Sequence, residues 1–74
     1  MSEHYRTGLN NVAQQRGYTI SYEATWTGPR HKPLWTAKVY LNNIEWGCGT
    51  DGTSGSAKEI AAKKALVALG ALQA

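Results

Sequence analysis

The apolar positions of this chain change period twice, and each change marks an element boundary. Tyr5, Leu9, Val12 and Ala13 stand at i, i+4, i+7 and i+8, a single stripe of an α-helix. The spacing predicts a helix from about Ser2 to Arg16, stopped by Gly17 in a left-handed conformation. From Ile20 the period falls to two. Ile20, Tyr22, Ala24 and Trp26 share one face of a strand, with Ser21, Glu23, Thr25 and Thr27 on the other. Gly28-Pro29 breaks that strand, and Pro33 closes a loop around Arg30, His31 and Lys32. A second alternation sets Trp35, Ala37, Val39 and Leu41 inward against Thr36, Lys38 and Tyr40. Asn42-Asn43 suits a tight hairpin, since Asn tolerates positive φ. Beyond it Ile44, Trp46 and Cys48 are predicted to face inward on a third strand thinned by Gly47 and Gly49. Residues Gly49 to Ser56 read as a flexible loop rich in backbone donors. Ser56 with Glu59 then has the spacing of a capping box that opens a last helix. Ala57, Ile60, Ala61, Ala65, Leu66 and Leu69 supply its buried stripe, and Gly70 its stop.

A helix, three sequential strands and a helix imply an α+β fold. The arrangement expected is an α-β-β-β-α two-layer sandwich, a three-stranded antiparallel sheet with both helices packed on one face. No repeat, low-complexity run or internal linker interrupts the 74 residues, so one domain is expected over 1–74, with its core at about 5–70.

Composition removes several function classes. Cys48 is the single cysteine, so no intrachain disulfide forms, and a lone thiol fits a reducing compartment. Cys48, His4 and His31 are too few and too scattered for a closed zinc site, which takes about four ligands. No apolar run approaches the roughly 18 residues that cross a bilayer. The first residues also lack the basic-then-apolar order of a signal peptide. A soluble, intracellular protein, cytoplasmic or nuclear, is expected, with no cofactor, no membrane and no small-molecule substrate. The acids Glu3, Glu23, Glu45, Asp51 and Glu59 fall on different elements, and Cys48, His31 and Asp51 show no nucleophile-activating arrangement. An enzyme is not expected. The formal net charge is +3 and the pI about 9.3, a balance that suits a polyanionic partner. From Trp26 to Leu41 the charged residues are Arg30, Lys32 and Lys38, with no acid. Trp26, Trp35 and Trp46 lie on predicted inward faces, which assigns them to the core and not to base stacking.

Several spaced segments then carry a resemblance. Gly28-Pro29-Arg30-His31-Lys32-Pro33-Leu34-Trp35 resembles the Gly-Pro-x-His-x-Pro-x-aromatic segment of the double-stranded RNA-binding domain family. Trp46-Gly47-Cys48-Gly49 contains the family's Gly-x-Gly. Ala57-Lys58-Glu59-Ile60-Ala61-Ala62-Lys63-Lys64-Ala65-Leu66 is similar to its Ala-Lys-x-x-Ala-Ala-x-x-Ala-Leu, and Leu9-Asn10-Asn11 to its Leu-Asn-Glu. The likeness covers about residues 5–69 without a gap, in the order the family uses.

The resemblance implies non-catalytic recognition of duplex RNA by its A-form shape, with little sequence preference. Such a domain spans about 16 base pairs, touching two minor grooves and the phosphates between them. On this chain the implied minor-groove contacts are Thr7 and Asn11 of the first helix, and Arg30, His31 and Lys32 of the loop. The implied phosphate contacts are Ser54, Gly55, Ser56 and Lys58 at the start of the last helix, with Lys63 and Lys64 as additional basic contacts. Lys63 could equally pair with Glu59 at i, i+4. One departure stands out. The family's Lys-Lys-x-Ala-Lys cluster is reduced here to Ser54-Gly55-Ser56-Ala57-Lys58, and Asp51 replaces a glycine. Two lost phosphate contacts lower the salt slope by roughly 2. The backbone amides and hydroxyls of Gly52 to Ser56 remain as anion donors at a positive helix end. The competing reading is a protein-interaction or dimerisation module on the same fold. It would act through the exposed sheet or the C-terminal helix, where Val67 and Leu72 are candidates for an exposed apolar patch.

Overall fold

The computed structural model describes residues 4–72. Its elements are α1 (Tyr5–Arg16), β1 (Ile20–Thr27), β2 (Leu34–Leu41), β3 (Ile44–Asp51) and α2 (Ser54–Ala68). The strands form one antiparallel sheet in the order β1-β2-β3. Leu9 and Ala13 of α1 meet Ala37, Val39 and Leu41 of β2 and five residues of α2 in a single buried core. The sandwich is the one expected.

The helix starts differ from expectation. His4 has non-helical backbone angles (φ −117°, ψ 44°) and its carbonyl accepts the Gly8 N–H at 3.1 Å, so α1 opens at Tyr5. The expected start at Ser2 lies outside the described residues. α2 opens at Ser54, because extended Thr53 is its cap and accepts the Ser56 N–H on Oγ1 at 3.2 Å. Ser56 is therefore in the first helical turn and caps nothing. β3 also runs through Asp51, which leaves only Gly52-Thr53 as the connection where a loop from Gly49 to Ser56 was expected.

Both helices end alike. Tyr18 and Gly17 N–H groups donate to the Ala13 and Gln14 carbonyls at 2.8 and 3.3 Å, and those of Ala71 and Gly70 to Leu66 and Val67 at 2.9 and 3.0 Å. These paired bonds need a left-handed residue, which Gly17 (φ 72°) and Gly70 (φ 76°) supply. The β2–β3 hairpin turns on Asn42 (φ 52°) and Asn43 (φ 66°), the two positive φ values of a type I′ turn. Asn42 also exchanges two hydrogen bonds with Thr19, which tie the start of β1 to the hairpin.

The third strand overturns the inward assignment of Trp46 and Cys48. Val39 pairs with Gly47 but Tyr40 pairs with Glu45, so Trp46 is the extra residue of a β-bulge. The bulge inverts the phase. Gly47 and Gly49 are buried against α2, and Cys48 pairs with Lys38 on the outward face. A Cβ on Gly47 would stand 2.1 Å from the Ala61 carbonyl oxygen, and one on Gly49 2.6 Å from that of Ala57. The helix backbone thus rests directly on the strand, with Ala57, Ala61, Ala62 and Ala65 fully buried on the helix side. Tryptophans do not fill this core. Trp26 is 49% exposed, Trp46 is 36% exposed, and only Trp35 packs half-buried against the centre. Ile44, at the hairpin end, is 62% exposed. Leu72 packs onto the core, so of the expected C-terminal apolar patch only half-buried Val67 remains. No helix among the described residues is long and apolar enough to cross a membrane.

Candidate nucleic-acid interface

The first turns of α1 and α2 face one another across an open groove of about 990 Å³. Thr7 and Asn10 stand on its α1 wall, and Gly55, Ser56, Lys58 and Lys63 on its α2 wall. The two walls are clamped together by Arg6. Its Nε donates to Glu59 Oε2, and its backbone N–H donates to Glu59 Oε1 at 3.2 Å. Burial alone would raise the Glu59 carboxyl, but the hydrogen bonds and charge of Arg6 outweigh it and hold the group below its usual range. Tyr22 of β1 also lines the groove. Its buried hydroxyl has no hydrogen-bond partner among the described residues, and burial pushes it up to about 12, partly offset by Arg6.

Because Arg6 and Glu59 neutralise each other, Lys58, Lys63 and Asp51 set the charge of the groove. Lys63 does not pair with Glu59, whose carboxylate Arg6 occupies. Its Nζ lies 5.5 Å from the centre of the Tyr5 ring instead. Asp51 accepts the Gly52 N–H at 2.7 Å and lines the same groove. At the start of α2 helix geometry leaves the Ser54 and Gly55 amides without an intrahelical acceptor, at the positive end of the dipole.

The loop between β1 and β2 is shaped by Gly28 (φ 94°) and by the Lys32 N–H, which donates to the Pro29 carbonyl at 3.0 Å. Arg30, His31 and Lys32 are all exposed on it. The sheet register pairs Trp26 with Trp35 and Trp35 with Asp51. This row brings the loop to the same end of the sandwich as the start of α2. Thr7, Gly55, Ser56, Lys58 and Lys63 therefore meet at one groove, and Arg30, His31 and Lys32 stand beyond the neighbouring sheet end. Asn11 is exposed one turn from Thr7, while half-buried Ser54 and exposed Lys64 lie outside the groove lining. Spacing alone passed over Asn10 and Arg6. Which exposed residues of α1 turn toward α2 depends on how the helices are rotated about each other, and long-range contacts such as Arg6–Glu59 and Lys63–Tyr5 settle that.

The family model described as the double-stranded RNA binding motif matches residues 5–69. Ribonuclease 3 of Corynebacterium efficiens is 36% identical over 58 residues, which are 78% of this chain and 24% of that protein. The chain thus spans about a quarter of the length of this curated relative. The structure of Arabidopsis HYL1, described with implications for miRNA processing, superposes with a TM-score of 0.85 at 26% identity, over 92% of this chain and 99% of that one. A second structure, the first dsRBD of HYL1, gives a TM-score of 0.71 at 29% identity over 84% and 90%.

Proposed function

Since the chain belongs to the double-stranded RNA binding motif family, we propose that it binds duplex RNA by A-form shape and performs no chemistry of its own. The observation that carries this reading is the shared groove, in which Thr7 of α1 faces Gly55, Ser56 and Lys58 of α2, with the Arg30–Lys32 loop at the same sheet end. Duplex RNA has a wide minor groove lined by 2′-hydroxyls and a narrow major groove that side chains cannot read. Thr7 and Asn11 would enter one minor groove and His31, with Arg30 and Lys32, the next. Ser54, Gly55, Ser56 and Lys58 would hold the phosphates between them. Lys63, on the groove wall, and Lys64 would add to the basic field.

Phosphate contact at α2 rests mainly on neutral donors. The amides of Ser54 and Gly55 and the Ser56 hydroxyl contribute hydrogen bonds to phosphate without a lysine's counterion release, so affinity is modest and its salt dependence shallow. The match to a ribonuclease is consistent with a binding module, as it covers 24% of that protein. The alternative, a protein-interaction module, is weakened by Leu72, which packs on the core.

Titration with a 20-base-pair RNA at two salt concentrations tests the reading, with matched DNA and single-stranded RNA as controls. Selective RNA-duplex binding is expected, weakened severalfold by His31→Ala and by Lys58→Ala. Absence of duplex binding at low salt would refute it.

A further inference from the structure

Trp26 and Trp35 were expected in the core, yet Trp26 is 49% exposed, an unusual position for a ring this large. Its ring centroid lies 6.4 Å from that of Trp35, and the planes are tilted by 43°. Together with Arg30 and Pro33 the two rings line a separate recess of about 140 Å³. That volume is well below the several hundred cubic ångströms of a drug-sized site and suits one flat ring. The recess has three properties that together specify a ligand. It offers an aromatic surface, the cationic residue Arg30 lines it, and it borders the loop that would enter a minor groove.

We infer that this recess captures one unpaired nucleobase flanking the duplex, stacked on Trp26 with its backbone phosphate toward Arg30. Paired bases are held inside the helical stack and present no face to an indole. Unpaired bases in overhangs and bulges do, and they are the ones that proteins stack on aromatic rings and guanidinium planes. The cation beside the rings favours a polyanionic strand over a basic peptide. The inference rests on the duplex-binding reading and deepens it, because the domain would then distinguish a duplex with an unpaired neighbour from a continuous one.

The test compares a blunt 20-base-pair RNA with the same duplex carrying a two-nucleotide overhang, or a single-nucleotide bulge one footprint from the end. Each is titrated against the intact chain, Trp26→Ala and Trp26→Phe, with folding of both variants checked by circular dichroism. The expected result is about fivefold to hundredfold tighter binding of an unpaired-base duplex, the range that one base stacked on an aromatic side chain supplies. The overhang and bulge arms show which source provides the base. Trp26→Ala should erase the preference while blunt-duplex affinity is unchanged, and Trp26→Phe should keep part of it. Equal affinity for all duplexes, or a preference that survives in Trp26→Ala, overturns the recess alone. A proline-rich peptide that shifts the Trp26 indole resonance, with no preference among the RNAs, overturns it in favour of a peptide site. No binding to any duplex overturns both this inference and the function on which it rests.

Discussion

Gly47 is the residue on which the packing of the two layers turns. Its missing side chain lets the Ala61 carbonyl of α2 come within 2.1 Å of where a Cβ would be, so the contact is backbone against backbone. Nothing flexible stands there to move aside. Gly47→Ala is expected to destabilise the domain by about 1–3 kcal/mol or more, the range for overpacking a dense core, as read by urea unfolding. Gly52→Ala makes a suitable control, because a Cβ at that position meets open space. The pattern of alternating apolar residues missed this because tryptophan and cysteine carry apolar side chains that glycine lacks. A buried glycine pair is recognised only by what lies opposite it, here the small residues Ala57, Ala61 and Ala65.

At the scale of the element, α2 owes its start to Thr53. The Oγ1 of that side chain takes the Ser56 N–H, and the first turn that follows holds the residues proposed to meet phosphate. Thr53→Ala should therefore cost about 0.5–2 kcal/mol of stability, typical of a lost N-cap. It should also weaken RNA binding more than that loss explains, if the amides of Ser54 and Gly55 are the donors. Comparing denaturant midpoints with duplex affinities under conditions where the variant is fully folded separates the two effects. The capping-box spacing of Ser56 and Glu59 pointed three residues too far along: Thr53 caps the helix, and Glu59 is engaged by Arg6, 53 positions earlier in the chain. The helix stops, by contrast, were legible. Gly17 and Gly70 act through local hydrogen bonds that reach back only a few residues.

Across the whole molecule, the Arg6–Glu59 pair bridges α1 and α2 at the groove, beside the buried packing of Leu9 and Ala13 on α2. The Glu59 side chain is 18% exposed and its carboxyl titrates below its ordinary value of 4.5. A carboxyl whose folded value is depressed stabilises the fold fully above its unfolded value, and the contribution is lost as pH falls through the folded one. The stability difference between the intact chain and Glu59→Gln should be constant near neutral pH and shrink as pH drops below about 4.5. Urea midpoints at pH 7 and pH 3 measure it. A difference that is the same at both pH values would show that the pair does not contribute through ionisation. At neutral pH a partly exposed pair of this kind contributes about 0.2–1 kcal/mol, so its main consequence is the position of Thr7 relative to Ser56 rather than the survival of the fold.

The sequence by itself determined the element order, the helix stops, the Asn42-Asn43 hairpin and the family, since each depends on periodicity, on local turn chemistry or on motifs of fixed spacing. Only the tertiary structure decided which face of β3 is inward, which partner Glu59 takes, and that two of the three tryptophans stand at the surface. The reason is common to all three. A β-bulge shifts the phase by one residue, and an inter-helix ion pair joins distant positions. A ring at the end of a strand lies inside or outside according to how far the covering helix reaches. Each is fixed by contacts between segments, and those contacts leave no period in the chain to read.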